Sequence, residues 1–203
     1  FAAAIARGVP VGGTSAGCAI LGQFLFSAEH GGATSSETLR DPYHRTVAIG
    51  EDLLRLPFLR RVITDQHFSE RDRMGRLLVF LARLAEDDLE PKPLGVAVDE
   101  RTNLAVGTDG SAEVFGSGSV FIITTPGNKP EVCRPRTPLT FTGLHARELR
   151  RGDSFSFATM RGGGTVRRVE VRDGRVIAGN QTRPVQPVIG SGSEETNRPG
   201  ARQ

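Results

Sequence analysis

The sequence predicts an α/β fold, and three observations support this prediction. Helical and strand-like segments alternate over the first hundred or so residues, and a strand-rich region begins near residue 112. A short apolar run at residues 9–11 leads through glycines and a serine into a second apolar run, which is typical of a strand–turn–helix unit. The chain has 203 residues, 37% of them hydrophobic and 24% charged, which is enough for one or two domains with a sizeable core.

Three helices are predicted. The first ends within residues 1–7, and the second covers residues 16–26, directly after the glycine-rich turn. Ser69 begins the third as S-x-x-D, close to a capping box. The apolar residues that follow recur at helical spacing: Met74, Leu77, Leu78, Leu81, Leu84 and Ala85. Residues 27–42 show no apolar period, so we expect a mobile loop near the serine.

Strands are predicted at residues 9–11, around residues 62–63, and at residues 94–98 and 103–106. Later strands are AEVF, SVFIITT, TPLTFTGL and the hairpin VRRVEV-RDG-RVIAG, whose Asp-Gly pair is a turn signal. The segment 184–203 has little to bury and is predicted to be a disordered tail. The chain begins inside a helix without a methionine, so we expect a fragment or a processed piece.

Composition restricts the classes of function. No apolar run approaches the roughly 18 residues of a membrane span, so no membrane partner is expected. Cys18 and Cys133 are too few for a disulfide framework and lack metal-ligand spacing, so we expect no metal and no cofactor. A reducing, cytoplasmic compartment is expected, and a secreted form stays open because a targeting signal could lie upstream of this piece. The net charge is +3, and the arginines of residues 134–183 accompany no base-stacking platform, so no nucleic-acid partner is expected.

The motif Gly13-Thr14-Ser15-Ala16-Gly17 fits the G-x-S-x-G nucleophile elbow between a strand and a helix. Small neighbours permit the sharp turn that exposes the serine hydroxyl, and the backbone N–H of Ala16 can hold a developing oxyanion. The pattern alone leaves two alternatives open. The same turn could bind a phosphate group, or it could simply pack a helix closely on a strand.

A nucleophilic serine needs a base, and the chain has four histidines. His67 comes at the end of a strand, at the sheet edge where active sites assemble. His30 and His44 lie in or beside the polar loop, where a solvated surface role is expected. His145 lies in the strand-rich region, where a structural role is expected, although an α/β-hydrolase would use Ser15, an acid and then His145 in chain order.

The histidine needs an acid that fixes its tautomer, and Asp99 and Glu100 end the apolar strand LGVAV. One of them is the candidate acid, and the other is free to cap or bind a neighbour. A triad of Ser15, His67 and Glu100 has the chain order serine, histidine, acid. The order therefore separates this hypothesis from the α/β-hydrolase alternative of Ser15, Glu100 and His145.

Three segments together resemble the cyanophycinase family and its relatives among the serine exopeptidases, which include the aspartyl dipeptidases. They are VGGTSAG, then TDQHFSERDRMGRLLVFLARL, then GVAVDERT. The resemblance runs from about residue 9 to about residue 153, where HARELRRGDSF is similar to the family's closing strand. Its most specific part is DQHF-x-x-R-x-R-x-G-R.

The resemblance implies a three-layer α/β sandwich of the class I glutamine amidotransferase type, with a flavodoxin-like sheet and often a homodimer. Residues 1–183 would be the C-terminal two-thirds of a single such domain. The first strands of the family's sheet and the turn that supplies its second oxyanion donor would then be missing. We therefore expect this piece to be inactive or poorly folded when expressed alone.

The resemblance also implies roles for individual residues. It identifies Ser15 with the nucleophile, His67 with the general base and Glu100 with the acid that orients the base. Five residues match the substrate pocket: Asp65, Gln66, Arg71, Arg73 and Arg76. The family cuts β-aspartyl-arginine dipeptides from a polyaspartate chain decorated with arginine.

Arginine forks suit the carboxylates of such a substrate, and Asp65 could meet a substrate guanidinium. A competing interpretation pairs Arg71 and Arg73 with Glu70 and Asp72 on a solvated face. Other functions remain open: an α-aspartyl dipeptidase, an α/β-hydrolase esterase, or a binding module with an inert serine. A glutamine amidotransferase would need a cysteine at the elbow, and Cys18 comes three residues too late.

Overall fold

The computed structural model describes residues 2–182, so the predicted tail at 184–203 lies outside the described residues. Within that range the chain forms four helices and twelve strands. The helices are α1 (Ala2–Ala6), α2 (Ala16–Ala19), α3 (Ser35–Arg40) and α4 (Met74–Glu86). The strands are β1 (Phe24–Phe26), β2 (Ile49–Glu51), β3 (Val62–Gln66), β4 (Leu94–Val98), β5 (Thr102–Val106), β6 (Ser111–Gly116), β7 (Ser119–Thr124), β8 (Phe141–Arg150), β9 (Ser154–Ser156), β10 (Arg161–Gly162), β11 (Thr165–Arg172) and β12 (Arg175–Thr182).

Two sheets organise these strands. The larger has eight strands in the order β12-β11-β8-β7-β4-β3-β1-β2, and the smaller has four in the order β10-β9-β6-β5. Within the larger sheet, β3 pairs in parallel with both β1 and β4, and the other pairs are antiparallel. The predicted α/β class is confirmed. A flavodoxin-like sheet is parallel throughout, whereas parallel pairing is limited to three strands in this fold.

The core has two parts, one on each face of the larger sheet. Helix α4 covers the first face, where Leu77 and Leu81 pack in one cluster with Ile123 of β7. The smaller sheet covers the second face, where Phe155 packs in another cluster with Ile122 of β7. Alternate residues of β7 therefore enter opposite cores, as the two-residue period of a strand requires. The layers are helix, sheet and sheet, so strands occupy the face where a doubly wound fold has helices.

The predicted segments around the serine differ most from the structure. Residues 9–11 form no strand: Val9 is 47% exposed, and no strand pairing is present there among residues 2–182. The helix predicted for residues 16–26 ends at Ala19, and the chain then enters β1. A Cβ at Gly22 would lie 2.5 Å from the carbonyl oxygen of Val62, so the chain turns tightly against β3 here. This turn buries Phe24, and sheet pairing outweighs the helical pattern.

Two further predictions need correction. The segment 27–42 contains α3, whose N-terminus has a complete capping box between Thr34 and Glu37. The T-x-x-E signal was readable and was missed. The third helix begins at Met74, five residues after Ser69, because Asp72 has a φ of +47° and cannot lie inside a helix.

Most of the other predicted strands are confirmed with small shifts, whereas β2, β9 and β10 were not predicted. The TPLTFTGL strand starts only at Phe141, because the N–H groups of Leu139 and Thr140 bond to Leu39 and Val132 outside the sheet. The β11–β12 hairpin is present, and Asp173 and Gly174 both have positive φ, as a type I′ turn requires. No helix in residues 2–182 is both long and apolar enough to cross a membrane.

Candidate active site

Ser15 lies in a sharp turn immediately before α2. Its φ of 51° and ψ of −120° are rare for a residue with a side chain and cost roughly 1–3 kcal/mol. Gly13 permits the turn, because a Cβ there would lie 2.1 Å from the carbonyl oxygen of Gly17. A Cβ at Gly17 would meet no atom within 4 Å. The first glycine of the motif is therefore required by the backbone, and the second is not.

Ser15, His67 and Glu100 come together at the carboxyl edge of the larger sheet. Ser15 Oγ lies 3.0 Å from His67 Nε2, and His67 Nδ1 lies 2.7 Å from Glu100 Oε1. His67 directly follows β3 and Glu100 closely follows β4, and the two strands are parallel neighbours with Gln66 opposite Val98. Parallel pairing therefore places the histidine and the acid side by side. The resulting hydroxyl–imidazole–carboxylate chain has the connectivity of a serine hydrolase triad.

Asp99, the other candidate acid, binds backbone N–H groups and makes no hydrogen bond to the histidine. Its Oδ1 accepts the Ser69 N–H at 2.9 Å, and its Oδ2 accepts the Ser119 N–H at 3.0 Å. Both carboxylate oxygens therefore hold backbone groups of neighbouring segments. Asp99 ties the turn after His67 to the first residue of β7, and Glu100 is left as the acid beside the imidazole.

The loop that carries Glu100 is held by three hydrogen bonds. The Glu100 N–H donates to Glu70 Oε1 at 3.0 Å. The Thr102 hydroxyl donates to the Glu100 carbonyl oxygen at 2.9 Å and accepts the Gly118 N–H at 2.9 Å. The sequence indicates Glu70 only as a possible arginine partner and does not indicate Thr102 or Gly118. The Glu70–Glu100 and Thr102–Gly118 contacts join residues 30 and 16 positions apart, so no local pattern indicates them.

Asp65 and Arg76, two predicted substrate contacts, form a buried ion pair. They are 1% and 4% exposed. Arg76 Nε lies 2.8 Å from Asp65 Oδ2, and a second guanidinium nitrogen lies 2.5 Å from Oδ1. Arg76 also donates to the Ala33 carbonyl oxygen at 3.2 Å and lies over the ring of Phe26. A substrate contact by Asp65 or Arg76 would require this pair to open.

Arg73 lies beside the same pair, at the start of α4. Its NH1 donates to the Gln66 carbonyl oxygen at 2.7 Å and lies 3.4 Å from Asp65 Oδ1. Burial, and then the neighbouring charge of Arg76, lowers the pKa of the Arg73 guanidinium. The Oε1 atom of Gln66 is buried and accepts no hydrogen bond from residues 2–182. Gln66 and Arg73 therefore retain unused polar groups at the strand end that carries His67.

Arg71 differs from the other two arginines because it is exposed. It forms no ion pair with any residue in the described part of the chain, so the competing interpretation, in which it pairs with Glu70 or Asp72, is not supported. Glu70 instead accepts the Glu100 N–H. The guanidinium of Arg71, on the turn after His67, is therefore available to a ligand.

The chain is similar to curated cyanophycinases. The chain is 36% identical over 147 residues to the cyanophycinases of Trichormus variabilis and Nostoc sp., an alignment that covers 70% of this chain and 44% of each relative. The cyanophycinase of Geminocystis herdmanii is 32% identical over 155 residues, or 74% of this chain and 51% of the relative. The chain belongs to the cyanophycinase-like family. It spans about half the length of these curated relatives, and no family model matches it.

The other histidines of this cyanophycinase-like chain lie in different surroundings. Of the four, His67 is the one hydrogen-bonded to Ser15 within residues 2–182. His145 is exposed in the middle of β8, opposite Thr124 and Arg168. His44 contacts the Thr46 hydroxyl at 2.8 Å. This geometry favours the chain order serine, histidine, acid over the α/β-hydrolase alternative.

Two features of α2 bear on the chemistry that this cyanophycinase-like site can perform. Ala16, the predicted oxyanion donor, is the first helical residue, and its N–H makes no hydrogen bond to another described residue. Burial, and then the charge of Asp65, raises the pKa of the Cys18 thiol to about 11. Cys18 is therefore protonated at neutral pH and is poorly suited to act as the nucleophile.

Within residues 2–182, no three His, Cys, Asp or Glu side chains are grouped to hold a metal ion.

Proposed function

We propose that the protein is a serine-type exopeptidase that hydrolyses cyanophycin or related aspartyl peptides to dipeptides of the β-Asp-Arg type. The observation that carries this proposal is the Ser15–His67–Glu100 chain, with contacts of 3.0 Å and 2.7 Å. The curated relatives, all named cyanophycinase, support the substrate class. The arginines near the site supply the charge that a substrate rich in carboxylates needs.

The proposed mechanism is acyl transfer. Ser15 Oγ attacks the scissile carbonyl carbon while His67 Nε2 accepts its proton, and Glu100 holds the Nδ1–H and stabilises the imidazolium. The Ala16 N–H donates to the oxyanion of the tetrahedral intermediate. His67 then gives the proton to the leaving amine as the C–N bond breaks. It next takes a proton from water, which attacks the acyl ester and regenerates Ser15.

In this proposal the five predicted pocket residues have two kinds of role. Arg71, Arg73 and Gln66 have unused polar groups near His67 and contact the substrate. Asp65 and Arg76 act as positioning residues, because their buried pair fixes the end of β3 against α4 and so fixes His67. Removing Asp65 would leave the buried Arg76 charge without its ion-pair partner, at a cost of about 3–5 kcal/mol, whereas removing Arg76 would leave Asp65 paired with Arg73.

The proposal includes the finer class of fold, the assembly and the compartment. Family membership and a site at the carboxyl ends of parallel strands support a class I glutamine amidotransferase-like sandwich, with residues 1–183 as part of a single domain. The resemblance to the family likewise supports a homodimer. The low cysteine content supports the cytoplasm.

The test is digestion of cyanophycin and, separately, of α-aspartyl dipeptides, with products identified by liquid chromatography and mass spectrometry. We expect β-Asp-Arg from cyanophycin with the full-length protein, rather than with this piece expressed alone, and none with the Ser15→Ala variant of the full-length protein. Glu100→Gln should lower kcat by roughly 10²–10⁴ with little change in KM, because the acid acts on the transition state. Cleavage of α-aspartyl dipeptides alone would indicate a dipeptidase. Undiminished hydrolysis by Ser15→Ala would refute the mechanism.

A further inference from the structure

A second polar depression, of about 300 Å³, lies at the same carboxyl edge as Ser15, His67 and Glu100. It is lined by Glu148, Arg150, Asp153, Gly164, Thr165 and Arg167, from β8, β11 and the loops between them. Ser119 connects it to the candidate active site. The Ser119 N–H donates to Asp99, and its hydroxyl donates to Glu148 Oε1 at 2.9 Å. The depression and the loop carrying Glu100 are therefore linked through two hydrogen bonds.

Glu148 organises the arginines of this depression. Its side chain is only 13% exposed, and its Oε1 accepts bonds from Arg150 Nε at 3.0 Å and NH2 at 2.8 Å. Its Oε2 lies 3.3 Å from Arg167 NH2. Burial raises the pKa of Glu148, but the hydrogen bonds from Arg150 and Ser119 and the charges of Arg150 and Arg167 together lower it. Glu148 is therefore an ionised anchor that orients both guanidinium groups.

The two arginines keep donors that no residue in the described part of the chain uses. A guanidinium has five N–H donors, and Glu148 engages two nitrogens of Arg150 and one of Arg167. Arg167 Nε is buried and donates to no residue in the described part of the chain. A buried donor without an acceptor is costly, and a ligand would satisfy it. Two oriented guanidinium forks match the planar oxygens of a carboxylate.

The order of strands in the larger sheet gives the distance between the depression and the triad. From β4, which carries Glu100, the sheet order runs through β7 and β8 to β11, which is three strand spacings. With about 4.8 Å between strands, the separation is roughly 14 Å. An extended peptide advances about 3.3 Å per residue, so four or five residues span this distance.

We propose that Arg150 and Arg167 form a distal subsite for one carboxylate of a peptide polymer that carries carboxylates along its length, four or five residues from the scissile bond. The inference rests on the proposed function, because it identifies the polymer as the substrate of the same sheet edge. The subsite strengthens the binding of long chains and cannot be reached by a short peptide. It therefore gives the protein a preference for polymer length that the Ser15 site alone does not supply.

Direct binding tests the subsite without turnover. The probe is a fluorescent ten-residue polyaspartate, titrated against the Ser15→Ala protein and followed by anisotropy, with ten-residue polyasparagine as the uncharged control. Changing both arginines to Gln should raise Kd for polyaspartate about tenfold, as expected for losing one charged contact. Equal Kd values before and after the change would overturn the proposal.

The matched control is Arg172→Gln. Arg172 lies on β11, as Arg167 does, but at the other end of the strand. It pairs with Glu170 two residues away, in the same way as Arg150 pairs with Glu148. The Arg172→Gln change should leave Kd for polyaspartate unchanged. A rise in Kd equal to that of the double variant would show a general charge effect and overturn the proposal. Because the double change leaves Glu148 without guanidinium partners, a triple variant adds Glu148→Gln. The triple variant should bind as weakly as the double variant, with thermal unfolding confirming that both are folded.

Kinetics separates failure of the subsite from failure of the proposed function. Kinetic measurements use the protein with Ser15 intact. Changing both Arg150 and Arg167 to Gln should lower the ratio of KM for a two-repeat cyanophycin segment to KM for the long polymer about tenfold. Hydrolysis of both substrates with an unchanged ratio would overturn the subsite and leave the proposed function standing. Polyaspartate binding that depends on the arginines, without hydrolysis of either substrate, would refute the proposed function and support the subsite.

Discussion

Two residues of the triad and a neighbour of the third have positive φ. Ser15 has a φ of +51°, His67 of +46° and Arg101, next to Glu100, of +52°. Such conformations are unfavourable for residues with a side chain and persist where the surroundings impose them. In this fold the surroundings are the Gly13 turn, the end of β3 and the loop between β4 and β5. Positive φ also occurs at other non-glycine residues of the described chain, among them Asp52 and Met160, so the functional interpretation rests on the hydrogen-bonded chain and not on the strain alone.

The cysteines give a prediction at the same scale. Burial raises the pKa of Cys18 to about 11 and that of Cys133 to about 12, so the thiolate fraction near pH 8 falls. For Cys18 the rise is about two units from the usual 9.0, which lowers that fraction roughly a hundredfold. Iodoacetamide should therefore alkylate native Cys18 very slowly at pH 8, as measured by mass spectrometry. The control is the urea-unfolded protein, where both thiols should react, and rapid native labelling of Cys18 would contradict its partly buried placement.

At the scale of the element, the sequence predicted the strands whose hydrophobic pattern follows directly from their burial in the sheet. Strand β4 was predicted with its observed bounds, and its polar end at Asp99 and Glu100 indicated a site edge. The segments around the elbow were predicted poorly because tertiary contacts decide them. Residues 20–26 have apolar side chains that suit either a helix or a strand, and pairing of Phe24 with Ile63 selects the strand.

The elbow itself gives a matched prediction on its two glycines. Gly13→Ala should disrupt the turn, because its Cβ would lie 2.1 Å from the Gly17 carbonyl oxygen. We expect loss of reaction at Ser15 and destabilisation by about 1–3 kcal/mol. Gly17→Ala is the control, since its Cβ has open space and alanine suits a helix. Urea unfolding and fluorophosphonate labelling measure both effects, and equal behaviour of the two variants would contradict the observed turn.

At the scale of the whole molecule, the candidate site depends on a strand topology that no local sequence pattern indicates. The resemblance identified Ser15, His67 and Glu100, but the supporting contacts of Glu70, Asp99, Thr102 and Gly118 join segments up to thirty residues apart. The central strands β3, β4 and β7 of the larger sheet are buried on both faces, whereas β6 of the smaller sheet alternates between exposed and buried residues. Burial pattern separates these strands, but it does not say that the alternating strands form a sheet of their own, so the second sheet layer was not predicted.

That second layer gives a prediction about stability. Phe155 is 3% exposed between the smaller and larger sheets, whereas Phe115 is 47% exposed on another strand of the smaller sheet. Phe155→Ala should lower the free energy of unfolding by about 3–5 kcal/mol. Phe115→Ala should change it by no more than about 0.5 kcal/mol. Urea denaturation measures both values, and a similar small effect for the two variants would show that the smaller sheet is not packed as described.

The central claim is that His67 and Glu100 activate Ser15 as the nucleophile. Its most direct test is treatment of the protein with a fluorophosphonate probe, followed by intact mass measurement and peptide mapping. The claim predicts one adduct on the peptide containing Ser15, its absence in Ser15→Ala, and slower formation in His67→Ala by roughly 10²–10⁴. An adduct on a different residue, or unchanged labelling of Ser15→Ala, would contradict it.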